Sequence, residues 1–224
     1  MKSHEFITAI INEYQLARLS RFGNADKIRR GRSHTISSTI EDLFAQFLLA
    51  NNPEIDFIYV DQPMKYGRSR RPFYPDVSVV KDNEIVAMFD LKTDLGWMRR
   101  KLVKVFKNHD KKAKLVAGKK CTLKDGQTKA TPLGITFAEN VTYSIVVLSD
   151  HNITRTSLAA HMDNIIKLGS ASRVYILAAG AKYHLNEYGV TPQEIVDGVD
   201  MDGLALVCEE ILKELRLDYD IGKS

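Results

Sequence analysis

Residues 73–94 read FYPDVSVVKDNEIVAMFDLKTD, and this stretch constrains the fold more than any other in the chain. Its two apolar runs, VSVV and EIVAMF, are short, rich in β-branched residues and separated by polar ones, so they read as consecutive strands of a hairpin. Each carries an acid where burial should end: Asp76 ahead of the first run and Asp90 at the end of the second, with Lys92 two residues on. Alternation along a strand puts Val86, Met88, Asp90 and Lys92 on one face and Ile85, Ala87, Phe89 and Leu91 on the other. Asp76 opposes Asp90, on the same face, when paired residue numbers sum to 166. That register predicts a three-residue turn, Asp82-Asn83-Glu84. A two-residue turn gives a sum of 165 and sends the aspartates to opposite faces unless a bulge corrects it.

Two carboxylates brought that close repel unless a cation lies between them. Hard oxygen donors with open positions for water suit Mg²⁺ or Mn²⁺. Such an ion can hold a phosphate oxygen and activate a water, and Lys92 beside it can orient that water or stabilise developing charge. The competing reading is an ordinary salt-bridged hairpin with solvated strand ends.

Around the hairpin the chain alternates helical and strand patterns. Helices are expected over 4–22, with Phe6, Ile10, Ile11, Tyr14 and Leu19 as the apolar stripe, and over 35–52, capped by Ser38 or Thr39. A strand is expected over 55–64, then the hairpin, then a basic helix over 96–118. A turn-rich surface excursion follows over 122–140. A strand over 141–150, a helix over 157–169, a strand over 172–180 and two closing helices complete the pattern. Three strands followed by helix-strand-helix-strand predict a mixed central sheet flanked by helices, an α/β (α+β) fold. With 224 residues, 44% of them hydrophobic, the chain can form one substantial domain.

Charge is uneven although the net value is only +4. Between Trp97 and Lys120 there are ten basic residues against Asp110 alone. A second basic cluster comprises Arg18, Arg21, Lys27, Arg29, Arg30 and Arg32, whereas Leu185–Asp220 is acidic. Local basic density of this kind favours a polyanion partner, and solvated helix faces are the plain alternative. Asn108-His109-Asp110 lacks a partner histidine and is expected on a solvated helix face. The stretch 197–210 resembles a calcium loop only in part, because Gly198 occupies the first ligand position; a turn with Asp202 capping the last helix fits better. The stripe Leu204, Val207, Ile211 and Leu215 suits core packing, with a dimer seam as the alternative. Cys121 and Cys208 have no metal-site spacing and read as free thiols. The N-terminus lacks a signal-peptide pattern and no run is long enough to span a membrane, so a cytoplasmic protein is expected.

YPDVSVV and FDLK together resemble the signature of the PD-(D/E)xK nuclease superfamily: Pro75-Asp76, then Asp90-Leu91-Lys92, with thirteen residues between the aspartates. The superfamily core runs α-β-β-β-α-β, the order read here over 36–149. The resemblance implies a restriction endonuclease-like core over about 36–180 within a single nuclease domain, 1–224. It makes Asp76 and Asp90 metal ligands, Lys92 the catalytic lysine and the Leu91 backbone carbonyl a further ligand. Glu41, on the preceding helix, matches an acid that many members carry at the site. The function implied is Mg²⁺-dependent (or Mn²⁺-dependent) hydrolysis of DNA phosphodiesters, of the type II restriction kind, on double-stranded DNA and as a homodimer. A junction resolvase or repair nuclease, and a non-catalytic nucleic-acid-binding module on the same fold, are the alternatives. Arg99, Arg100, Lys101 and Lys104, which closely follow the catalytic strand, are the expected DNA contacts.

Overall fold

A computed structural model describes residues 1–19, 35–69, 71–96, 98–124, 126 and 134–216. Arg21, Lys27, Arg29, Arg30 and Arg32 of the N-terminal basic cluster lie outside the described residues.

The architecture is a mixed α+β fold. Helices α1 (Ser3–Leu16) and α2 (Ser37–Asn51) precede strands β1 (Phe57–Val60), β2 (Met64–Tyr66), β3 (Val77–Lys81) and β4 (Glu84–Lys92). Helix α3 (Leu102–Val116), strands β5 (Cys121–Leu123) and β6 (Thr136–Ser149), helix α4 (Arg155–Ile166) and strand β7 (Val174–Ala178) follow. Helices α5 (Pro192–Asp197) and α6 (Met201–Glu214) close the chain. The central sheet has five strands in the order β1-β3-β4-β6-β7, antiparallel on the β1 side and parallel from β4 onward. Among the described residues no helix is long and apolar enough to cross a membrane.

One face of the sheet is covered by α3 and α4, where Leu102, Phe106 and Ile165 pack on Ile145, Val147 and Val174. A larger core holds the apolar stripes of α1, α2 and α6. There Phe6 stacks on Phe47 at 4.9 Å, and Phe44 meets Phe89 of β4 edge-on at 5.2 Å. Both faces of β4 are buried within this larger core, and β4 is apolar from Ile85 to Phe89.

Several boundaries differ from the expectations. The hairpin turn has two residues, not three: Asp82 (φ 50°) and Asn83 (φ 62°) both take the left-handed conformation of a tight primed turn. Lys81 therefore pairs with Glu84, and Val80 with Ile85. One extra residue, Val86, then shifts the register, so that Val79 pairs with Ala87 and Val77 with Phe89. The bulge restores the 166 register at the acidic end, and it moves Ile85 to the Asp90 face. The single strand expected over 55–64 divides, because β2 leaves the main sheet to pair with β5 as a two-stranded ribbon. Strand β6 begins at Thr136, inside the expected excursion, by pairing beside Glu84 and Ile85. The α2 N-cap is Ile36, which has no side-chain cap, and Ser38 and Thr39 lie within the first turn. Asp200, not Asp202, caps α6, accepting from the Gly203 N–H at 3.0 Å. Leu204, Ile211 and Leu215 are buried as core, together with Cys208. Leu19 is half exposed, and Ile7 takes its place in the α1 stripe.

Candidate active site

The acidic end of the hairpin lies where β4 runs out beside β6. Lys92 Nζ is 2.7 Å from Asp90 Oδ1 and 4.0 Å from Asp76 Oδ2, so one ammonium holds both carboxylates. Asp76 is fixed from the other side by the Leu91 backbone, whose N–H donates to Oδ2 at 2.6 Å. The Asp76 carbonyl in turn accepts from the Asp61 N–H, which joins the segment after β1 to the site. Three local features create this cluster: the bulge at Val86, the 166 register beyond it, and the two-residue repeat that puts Asp90 and Lys92 on one face.

The electrostatics are those of crowded, partly desolvated acids. Burial pushes the Asp76 carboxyl up to about 7; the charge of Asp90 and a hydrogen bond between the two carboxyls add to the rise, and the Leu91 N–H and Lys92 oppose it. Glu41 also sits above the usual carboxylate range, through burial first and then Asp61 and Asp42; Lys92 and Asp90 are within its electrostatic reach. The structure therefore brings Asp76, Asp90 and Lys92 together in one cluster, with Glu41 within electrostatic reach but not in contact.

Two more residues belong to it. His109 lies flat against the Tyr143 ring, with centroids 4.1 Å apart and planes 9° from parallel, and its Nε2 is 3.9 Å from Asp90 Oδ2. This corrects the expectation of a solvated face. Burial holds the His109 imidazole below its ordinary pKa despite the opposing pull of Asp90, so the contact is not an ion pair at neutral pH. Its Nδ1 is buried with no hydrogen-bond partner among the described residues. Burial, with Asp90 and Asp76 adding, drives the Tyr143 phenol upward, so it stays neutral. The signal for His109 was present in the sequence: Leu102, Phe106, His109, Ala113 and Val116 repeat at alternating four- and three-residue steps, the buried stripe of α3. Tyr143 likewise alternates with Ile145 and Val147 along β6.

Just past the site, Asp94 closes its own turn by accepting from the Gly96 N–H at 2.6 Å. Hydrogen bonding to His184 holds its carboxyl below the usual range, and Asn152 donates to it at 3.2 Å. This brace ties the end of β4 to the loops after β6 and β7. Arg99, Arg100 and Lys101 are exposed in the turn before α3, and Lys104 is exposed in its first turn. The helix thus starts later than expected. The Arg99 carbonyl hydrogen-bonds His161 of α4, which fixes that turn.

Asp76 and Asp90 are hard oxygen donors, partly desolvated, and one lysine offsets only one of their two negative charges when both are ionised. That residual negative charge suits a small divalent cation better than a second ammonium. Among the described residues no three His, Cys, Asp or Glu side chains converge as a ready-made cage. An ion there would therefore rest on the aspartate pair, a backbone carbonyl such as that of Leu91, and water, which is a coordination Mg²⁺ accepts.

Comparison with protein-family models, with curated proteins and with solved structures finds no match to this chain.

Proposed function

We propose that the chain is a metal-dependent endonuclease that hydrolyses DNA phosphodiester bonds, built as one nuclease domain around a restriction endonuclease-like core. The observation that carries this reading is the meeting of Asp76 and Asp90 around Lys92 at the end of β4. The order α2-β1-β3-β4-α3-β6 around that end supports it.

In this reading Asp76 and Asp90 hold a divalent ion directly, the Leu91 carbonyl is a further donor, and Glu41 reaches the ion through one of its waters. Bound there, Mg²⁺ or Mn²⁺ polarises a phosphate oxygen and lowers the pKa of a water. Lys92 orients the water and stabilises charge developing on the phosphorus oxygens. The water oxygen bonds to phosphorus, the P–O3′ bond breaks, and the products are a 5′-phosphate and a 3′-hydroxyl. His109 and Tyr143 wall the site on the α3 side and keep Asp90 out of bulk water. Arg99, Arg100, Lys101 and Lys104 contact DNA phosphates. Type II-like cutting of both strands of duplex DNA implies a homodimer. A cytoplasmic location belongs to the same reading, with Cys121 and Cys208 as buried free thiols.

Incubation with supercoiled plasmid and Mg²⁺ tests the proposal. Nicked or linear product is expected, and EDTA should abolish it. Lys92→Ala should remain folded and DNA-binding while single-turnover cleavage falls on the order of a hundredfold, as for loss of one electrostatic stabiliser. A Lys92→Ala protein that melts earlier yet cleaves normally would reduce the cluster to a salt-bridged strand end. Binding without cleavage by the unaltered protein would assign it to non-catalytic nucleic-acid binding.

A further inference from the structure

A second basic surface lies toward the other end of α3 from Arg99 and Lys104. The β2–β5 ribbon abuts the segment that carries Asp76: Met64 and Phe73 exchange backbone hydrogen bonds, each 2.9 Å. Tyr66 of the ribbon meets Phe73 edge-on at 6.0 Å. Lys112 Nζ stands 4.9 Å from the Tyr66 ring centre and 5.0 Å from that of Phe73, and Lys119 Nζ lies 5.7 Å from Tyr66. Lys112 is one helical turn beyond His109, on the side of α3 that faces the carboxylates. Tyr74, the next residue after Phe73 and two before Asp76, is 57% exposed.

The ribbon therefore reaches the carboxylates by two routes, along the chain through Tyr74 and along α3 through His109. Ammonium groups laid over aromatic rings, with an exposed tyrosine on the short chain segment that joins Phe73 to Asp76, suit a flexible polyanion whose bases are free to stack. A continuous duplex keeps its bases paired and offers no face to Tyr74. Lys119 Nζ also donates to the Leu115 carbonyl at the end of α3, at 2.5 Å, which fixes it beside the ribbon.

We infer that this surface is the path of a single-stranded nucleic-acid arm leaving the site: Tyr74 stacks the base next to the scissile phosphate, and Lys112 and Lys119 take the following phosphates. The inference rests on the nuclease reading for the position of the scissile phosphate. It keeps the nuclease chemistry but departs from type II-like cutting of continuous duplex: the substrates are duplexes that carry an unpaired arm, such as overhangs, flaps or branched junctions.

Fluorescence anisotropy in EDTA, with a blunt duplex and the same duplex bearing a single-stranded arm, is the test. The armed duplex should bind about tenfold tighter, within the range for stacking one base on an aromatic ring. Tyr74→Ala should remove the stacking part of that preference, weakening the armed duplex several-fold and leaving the blunt duplex unchanged, and Tyr74→Trp should restore it. Lys112→Gln with Lys119→Gln should weaken the armed duplex selectively and flatten its salt dependence, by about 0.7 in log–log slope for each single-strand phosphate no longer neutralised. Equal binding of the two duplexes by the unaltered protein, or no effect of Tyr74→Ala, overturns the path. Cleavage with Mg²⁺ is read separately. Arm preference without cleavage overturns the nuclease reading and leaves the path standing, whereas equal binding and equal cleavage of both duplexes do the reverse.

Discussion

Asp76 carries the sharpest consequence at the level of a single residue. In an unfolded chain its carboxyl ionises near pH 4, whereas in the folded protein the proton is held up to about 7. Folding therefore takes up a proton between those values. The contribution of this group to stability is full below about pH 4 and is lost as pH rises through about 7. Glu41 and Glu214 shift in the same direction, both chiefly through burial, so they add to the trend. Without divalent ions the melting temperature should fall between about pH 4 and about pH 7, and Asp76→Asn, neutral throughout, should flatten that fall and melt above the unaltered protein at the alkaline end. On the proposed metal site, Mg²⁺ would bind the deprotonated pair and reverse the preference, so it should raise the melting temperature of the unaltered protein most at high pH and that of Asp76→Asn little. A metal-free melting temperature with the same pH slope in both proteins would show that Asp76 ionises normally.

Helix α3 shows at the level of elements how a structural stripe carries a site residue. His109 occupies a core position of the helix, yet its imidazole has one edge toward Asp90 and an orphaned Nδ1 on the other. His109→Phe keeps the flat contact with Tyr143 and removes the unsatisfied nitrogen, so stability should hold or rise by about 1 kcal/mol. Cleavage should drop if the imidazole edge holds Asp90 in place. A denaturant melt and a cleavage assay on the same variant separate the two effects, and unchanged cleavage would make His109 a packing residue only. Helix and strand periodicity made most of this legible in the sequence: the stripe of α3, the apolar β4 and the shared face of Asp90 and Lys92 follow from local spacing. The turn and the bulge do not. Asp82-Asn83 and Asp82-Asn83-Glu84 are both acceptable turns, and the choice depends on Val86 being left out of the ladder, which a valine side chain does not announce. The early start of β6 and the pairing of β2 with β5 depend on partners far along the chain, so local pattern placed them in a loop and in the main sheet. The α6 cap was missed by one step of alternating acids, Asp200 and Asp202, that only the backbone of Gly203 distinguishes.

Across the whole molecule, charge is segregated. The turn before α3 and the exposed side of that helix carry Arg99, Arg100, Lys101, Lys104, Lys107 and Lys111, while α6 carries Asp202, Glu209 and Glu210. A polyanion attracted to the first surface is repelled by the second, and at physiological salt that repulsion fades over about 8 Å. Contacts with phosphates should therefore set affinity, and the acids should mainly exclude wrong orientations. Replacing Arg99, Arg100, Lys101 and Lys104 with Ala should weaken duplex binding on every sequence alike. The log–log salt slope should become shallower by about 0.9 for each duplex phosphate that the variant leaves unneutralised. Replacing Glu209 and Glu210 with Gln should leave that slope almost unchanged, because neither acid releases a counterion from the duplex. Binding titrations over a range of salt concentrations decide between this arrangement and a merely solvated helix: an unchanged slope in the Ala variant would place the duplex elsewhere on the molecule.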